Sequence, residues 1–389
     1  MQEVAVYWLI YRLTNSALML GLVSFADQIP AFFITPLAGV LADRWNRHRI
    51  LVITQTVAMV QAFVMAALTL SGKITVWQVV VLSVFLGIVD AFEVPTRQSF
   101  VPEMVERRED LPNAIALNSF MVNSGRLLGP ALAGLWIALA GEGICFLANG
   151  ISFCAVVVAL LAMKVKPHHP QVQRRDVFKE LKDGFAYVFG FPPVRAILGL
   201  VALASVMGRP YMVLAPVFVR EILREGPEAL GFLMGSAGAG ALIGATFLAS
   251  RRSVRGLGRV IAIASALFGA GLVAISFSRT LVLSMTFMVL IGFGMMVQLV
   301  ASNTFLQTIA EDDKRGRMMS FYTMAFMGMV PFGSFWAGWM GHWIGVTGTL
   351  FIGGIVCLGG ALLFAKQLPH FRKHVRPLYV RLGILPEVR

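Results

Sequence analysis

An all-α fold that crosses a lipid bilayer about twelve times is predicted by three features. These are an apolar excess, a rhythm of long apolar runs, and the placement of the basic residues. Of 389 residues, 57% are apolar and 14% are charged, and the mean hydropathy is +0.76. A soluble domain is about half apolar and about a quarter charged, so too few polar groups remain here to cover a water-facing surface. Lipid is therefore the solvent for most of the molecule. A spanning helix takes roughly 20 residues, and this length accommodates about a dozen with short connections.

The apolar runs cover residues 1–14, 17–41, 50–71, 75–98, 113–139 and 143–164. They resume at 194–219, 228–249, 258–277, 280–304, 318–341 and 344–366. The first run is half a span, so an incomplete first helix is expected, either through truncation or because the start lies upstream. No cleavable leader is expected, since the first run lacks a basic flank and a small-residue cleavage site. The runs divide into an N-terminal six-helix set (1–164), a cytoplasmic linker (165–193), a C-terminal six-helix set (194–366) and a basic tail (367–389).

Orientation follows from charge. The net charge of +13 would suggest nucleic acid in a soluble protein. Here 26 of the 33 Lys and Arg fall in alternate breaks, at 42–49, 97–110, 164–195, 250–259, 311–317 and from 366 onward. That alternation is a topology signal, places both termini in the cytoplasm, and leaves nucleic acid unneeded. The linker holds Pro167, His168, His169 and Pro170. Val177, Phe178, Leu181, Phe185 and Val188 recur at helical spacing within 176–189, as in a helix lying on the inner membrane surface.

The two six-helix sets are similar to each other. SFVPEMVERREDLPNAIALN (99–118) parallels TFLQTIAEDDKRGRMMSFY (304–322), and GPALAG (129–134) parallels GSFWAG (333–338). Parallel repeats of six helices are a building principle of transporters. Cys145, Cys154 and Cys357 stand singly in apolar runs and read as packing residues, with no metal site and no cofactor motif.

Between the second and third runs stands GVLADRWNRHR (39–49). Gly39 permits close helix approach, and Asp43 at a helix end can pair with arginines and cap a neighbouring helix. The loop resembles the G-x-x-x-D-R-x-G-R-R signature of the major facilitator superfamily. Asn46 stands where glycine is usual, and both tolerate a left-handed backbone. The resemblance implies that fold, with Gly39, Asp43, Arg44, Arg47 and Arg49 as an interdomain latch.

The fifth run carries GRLLGPALAG (125–134). Gly125 and Gly129 form a G-x-x-x-G face, and Pro130 interrupts the hydrogen-bond ladder. With Gly134 they resemble the G-x-x-x-G-P-x-x-G-G signature of the superfamily's antiporters, with Ala133 and Ala116 replacing glycines. The resemblance implies export; a plain small-residue packing face is the alternative. DAFEVPTRQSFVPEMV (90–105), DLPNAIALNS (110–119) and RGRMMS (315–320) resemble the enterobactin-exporter-like branch, and the likeness covers nearly the whole chain. It implies efflux of siderophores, drugs or related amphiphiles, from a bacterial inner membrane.

Ionisable residues within the runs bear on mechanism. Each costs about 2.5–3.5 kcal/mol at a helix centre on insertion scales and faces a cavity or a partner. Asp27, Asp90, Glu93, Arg97, Arg126 and Arg209 qualify. Asp90 and Glu93 are three apart, and Glu93 and Arg97 four apart, so all three share one helical face. Two carboxylates in a poorly hydrated cavity repel, and one becomes able to load and release a proton. A permanent Glu93–Arg97 ion pair that holds the helix end is the other reading. Asp27 joins the proton-coupling candidates. Arg126, Arg209 and Arg97 are candidates for substrate binding or charge balance. Arg209 precedes Pro210, where a helix break would free backbone groups to face a pore. The arginine that the superfamily's drug antiporters carry midway along helix four is absent here, so their relay does not transfer directly.

The expectation is a secondary active exporter that moves an amphiphilic small molecule outward in exchange for protons, with lipid as the surrounding partner. A monomer is compatible with this expectation. Uptake or facilitated diffusion on the same fold is the first alternative, and a non-transporting scaffold the second. No phosphate-cradling G-x-x-x-x-G-K-[ST] loop and no nucleophile–base set occur, which excludes direct ATP drive and an enzyme from the expectation.

Overall fold

The computed structural model describes residues 1–105, 110–163, 190–208, 210–251, 253–310 and 314–381. Among them the regular structure is helical throughout, with no strand. The expected linker helix at 176–189 and the pair His168–His169 lie outside the described residues.

Four helices open the chain: α1 (Gln2–Thr14), α2 (Ala17–Arg44), α3 (Arg47–Leu70) and α4 (Val76–Phe100). Their ends carry local signals. Asn46 caps α3 by accepting the Arg49 N–H at 3.1 Å. Thr75 and Gln78 form a reciprocal capping box on α4. Asn46 has φ −67° rather than the left-handed backbone expected at that motif position. Asparagine serves there because its side chain satisfies a free helix N–H.

Leu111–Ala162 runs as one hydrogen-bonded length but breaks at Gly141, with φ 80° and ψ 172°. Its parts, 111–140 and 142–162, are α5 and α6. Then come α7 (Pro192–Gly208), α8 (Pro227–Ala249), α9 (Leu257–Phe277) and α10 (Leu281–Ile309). Arg315–Thr323, a π-helical turn at Met324–Gly328, and 330–344 make α11. A second break at Gly345, φ 73° and ψ 171°, separates it from α12 (346–381). Among the described residues, nine helices are long and apolar enough to span a membrane. Dividing the two longest at Gly141 and Gly345 makes eleven, and the shorter α1 brings the described set to twelve.

Both breaks fall twelve residues after the first glycine of GPALAG and of GSFWAG. That φ/ψ combination is open only to glycine without strain. A Cβ at Gly141 would meet open space, so Gly141→Ala isolates the backbone term. It is expected to lower stability by about 1–3 kcal/mol, read as a drop in the thermal unfolding midpoint of the purified protein.

Two differences from the sequence expectation have physical causes. The last helix continues past residue 366 to Arg381, through Pro369 and Pro377. Phe371 and Tyr379 are buried and join the core formed by Ile197, Val201, Ile261 and Phe305, so packing outweighs the lost proline hydrogen bonds. Beyond Arg209 the seventh run is irregular, with short helical turns at Pro210–Val213 and Ala215–Val217 and a π-helical turn at Phe218–Leu223, where the sequence placed backbone facing a pore. Residues 213–219 are all buried, so this irregular backbone is packed in protein.

The molecule divides into two compact units. One holds the described residues of 1–173 with 213–235; the other holds those of 174–212 and 236–389. In the first, the backbone carbonyl of Asp27 on α2 occupies the place a Cβ of Gly87 on α4 would take. In the second, the carbonyl of Ala237 on α8 does the same to Gly292 on α10.

Candidate functional site

The charged face of α4 is the centre of the site. Arg97 Nε donates to Glu93 Oε1 at 2.8 Å, and Gln55 on α3 donates to the same oxygen at 3.3 Å. Glu93 is thus held by a cation and an amide. Asp90, one turn earlier, is exposed and has no hydrogen-bond partner among the described residues. Among the described residues, the charges acting on it include those of Glu93, Arg97 and, from α1, Glu3. An ionised carboxylate on lipid is expensive.

Polar residues of α1, which the sequence reading left unassigned, extend the site. Tyr7 donates to Glu3 at 3.1 Å and shares a 2.7 Å hydrogen bond with Ser24 Oγ on α2. Gln28 donates to the same Ser24 oxygen at 3.1 Å. On another side, Gln2 donates to Gln61 at 2.8 Å and accepts from Asn149 at 2.6 Å. Treating 1–14 as an apolar half-span hid these residues. The four-residue spacing of Glu3, Tyr7 and Tyr11 was the available signal.

The remaining candidates are distributed around this core. Asp27 lies at the α2–α4 crossing. Arg47 donates to the Ser99 carbonyl at 3.3 Å, and a His48 ring nitrogen lies 2.7 Å from the Leu160 carbonyl. These contacts tie the start of α3 to the ends of α4 and α6, while Arg49 is exposed. The backbone of α2 carries Gly39, Asp43 and Arg44, and that of α5 carries Arg126. Their side chains, and all of Arg209, lie outside the described residues. On α5, a Cβ at Gly125 would meet open space, and one at Gly129 only an ordinary contact with Met1. Close packing falls instead on Gly134, where a Cβ would meet Gly231 Cα at 2.6 Å, with the Pro130 carbonyl near Gly231.

At the α1–α2 connection a second polar cluster was not foreseen. Tyr11 donates to Glu221, and the Arg220 guanidinium lies 5.8 Å from the centre of the Tyr11 ring. Arg12 Nε donates to Glu142 at 2.8 Å; Arg12 is 48% exposed and Glu142 only 8%. The two halves of that pair are therefore unequal. Arg12→Ala strands a buried carboxylate and is expected to cost about 1–3 kcal/mol. Glu142→Gln leaves a cation in reach of water and should cost less than about 1 kcal/mol. Thermal unfolding of both variants checks the order.

The internal repeat sharpens the picture. Aligning Gly87 with Gly292 and Phe100 with Phe305 sets Asp90 against Met295, Glu93 against Gln298 and Arg97 against Ser302. In that register the counterpart of Asp90 accepts a weak hydrogen bond from Tyr211 at 3.6 Å, and Gln298 donates to the Leu200 carbonyl at 3.3 Å. The second helix thus keeps the crossing without any of the three charges. Its fold does not require them.

Comparison with known proteins fits this architecture. The sequence model of a family described as transmembrane secretion effector matches residues 1–378. The chain is 26% identical over 372 residues to the staphyloferrin A transporter of Staphylococcus aureus, covering 94% of this chain and 92% of that protein. It is 25% identical over 344 residues to the multidrug efflux pump Tap of Mycolicibacterium fortuitum, covering 86% and 83%. The nucleoside transporter NupG superposes with a TM-score of 0.72 at 14% identity, covering 94% of this chain and 96% of that one. A bacterial homologue of the human lysosomal transporter Spinster, inward-facing and unoccupied, gives 0.64 at 13% identity, covering 96% and 93%. At such identities the structural likeness speaks for the fold alone. With its apolar helices the chain is a multi-pass membrane transporter rather than an enzyme. It belongs to the transmembrane secretion effector family of the major facilitator superfamily, and the relatives it matches include a staphyloferrin A transporter and a multidrug efflux pump.

Proposed function

We propose that this protein exports an amphiphilic organic molecule, of the siderophore or lipophilic-drug class, by alternating access in exchange for protons. The observation that carries the reading is the inequality on α4. Glu93 is held by Arg97 and Gln55, whereas Asp90, on the same face and beside Glu3, has no such partner among the described residues. A carboxylate placed beside other carboxylates without a dedicated cation is suited to bind and release a proton. Asp90 is the carrier in this account, and the Glu93–Arg97 pair fixes the helix face around it.

Export, rather than uptake, is supported by relatives named for efflux and by the partial antiporter motif at Gly125, Gly129, Pro130 and Gly134. The alternating Lys/Arg pattern supports an inner-membrane protein with both termini in the cytoplasm. Arg47 and His48 support a latch role for the 39–49 loop, since both anchor it to neighbouring helix ends. Everted membrane vesicles with an acidic interior test the direction. Lipophilic drugs and siderophores screened as substrates should accumulate inside and be released when an uncoupler collapses the gradient. Accumulation confined to right-side-out vesicles would instead establish an uptake carrier.

A further inference from the structure

At one end of the second unit, the first turn of α7 and the last apolar turn of α12 frame a cleft of about 410 Å³. Pro192, Arg195, Ala196, Gln367, His370 and Phe371 line it. The apolar span that includes α7 begins at Pro192, and the last span ends at Phe371, so the cleft lies where two spans meet the membrane surface. Arg195, Gln367 and His370 are exposed there, whereas Phe371 is buried and forms the floor.

Among the described residues, the two helices that frame the cleft carry charge of one sign. Neither Pro192–Gly208 nor Val330–Arg381 contains an Asp or Glu. Lys366, Lys373 and Arg376 all stand within two helical turns of His370. Deeper along the same helices the surface stays apolar and open. Leu363, one turn before Gln367 on the same face, is 62% exposed. Gly199, one turn after Arg195, has open space where a Cβ would stand. Donors at the surface above an open apolar strip match a molecule that is anionic at one end and apolar at the other.

We propose that this cleft binds the phosphate of an anionic phospholipid headgroup, with Arg195 as its charged partner and Gln367 beside it. The acyl chains lie along Leu363 and Gly199. Arginine presents a donor fork that fits phosphate oxygens, and basic pockets between spanning helices are where anionic headgroups dock. The site is separate from the charged face of α4 and does not depend on what is transported.

The purified full-length protein in detergent would be titrated with phosphatidylglycerol, with diacylglycerol lacking the phosphate, and with inorganic phosphate. The thermal unfolding midpoint is the readout. Phosphatidylglycerol is expected to raise the midpoint, and the other two to leave it unchanged. Arg195→Gln should raise the half-maximal lipid concentration about tenfold, as loss of a charge-assisted hydrogen bond does, while Arg195→Lys keeps most of the effect. A shift from inorganic phosphate that Arg195→Gln abolishes would retain the anion site and overturn the lipid as its source. A phosphatidylglycerol shift of equal size in wild type and Arg195→Gln, or none in either, would overturn the proposal.

Discussion

Asp90→Asn is expected to leave substrate exchange running while abolishing accumulation against a gradient. Asparagine keeps the size and polarity of the side chain but neither ionises nor carries a proton. The exposed position of Asp90 and its lack of a hydrogen-bond partner among the described residues mean that little packing is disturbed. Substrate can therefore still bind and equilibrate across the membrane. Uphill movement should fall to the level of protein-free liposomes. Glu93→Gln acts differently, because it removes the negative charge that pairs with Arg97 while keeping an amide oxygen for Gln55. It is expected to slow transport yet keep its dependence on the proton gradient. Counterflow and gradient-driven uptake, measured side by side in proteoliposomes, separate the two variants.

Gly87→Ala is expected to be the most damaging single methyl in the first unit. Its Cβ would fall on the Asp27 backbone carbonyl, so α2 and α4 must part rather than a flexible side chain yield. Overpacking of this kind costs about 1–3 kcal/mol and occasionally more; contact with rigid backbone puts this case at or above the upper figure. Gly292→Ala meets the Ala237 carbonyl in the same way and should do equal harm in the second unit. Gly359→Ala, where a Cβ would meet open space, is the control and should change stability by less than about 0.5 kcal/mol. Thermal unfolding of the three variants gives the ranking, and transport should fail in the first two even where folded protein is recovered.

Much of the fold was legible because the bilayer imposes length and polarity rules on every span. The runs at 50–71, 75–98 and 258–277 differ from α3, α4 and α9 by only a few residues at each end. The breaks between α5 and α6 and between α11 and α12 were legible as polar gaps, although glycine backbone, not polarity, makes them. The helix beyond residue 366 was not, because its basic surface masks the burial of Phe371 and Tyr379. Within the site, the shared face of Asp90, Glu93 and Arg97 follows from helical spacing alone. Which carboxylate Arg97 takes does not, since rotamers and the reach of Gln55 from α3 decide it. The contributions of Glu3, Tyr7 and Ser24 required knowing that α1 packs against α2 and α4. So did the pairing of Tyr11 with Glu221, which lie 210 residues apart in the chain.

Substrate-triggered proton flux in proteoliposomes, followed with a trapped pH indicator, tests the central claim most directly. Wild type, Asp90→Asn and Glu93→Gln would be compared with the same siderophore or drug. The account predicts proton movement opposite to substrate in wild type, slower but present flux in Glu93→Gln, and none in Asp90→Asn. Substrate transport that proceeds in all three without proton movement, and that persists when the gradient is collapsed, would contradict it and leave a uniporter.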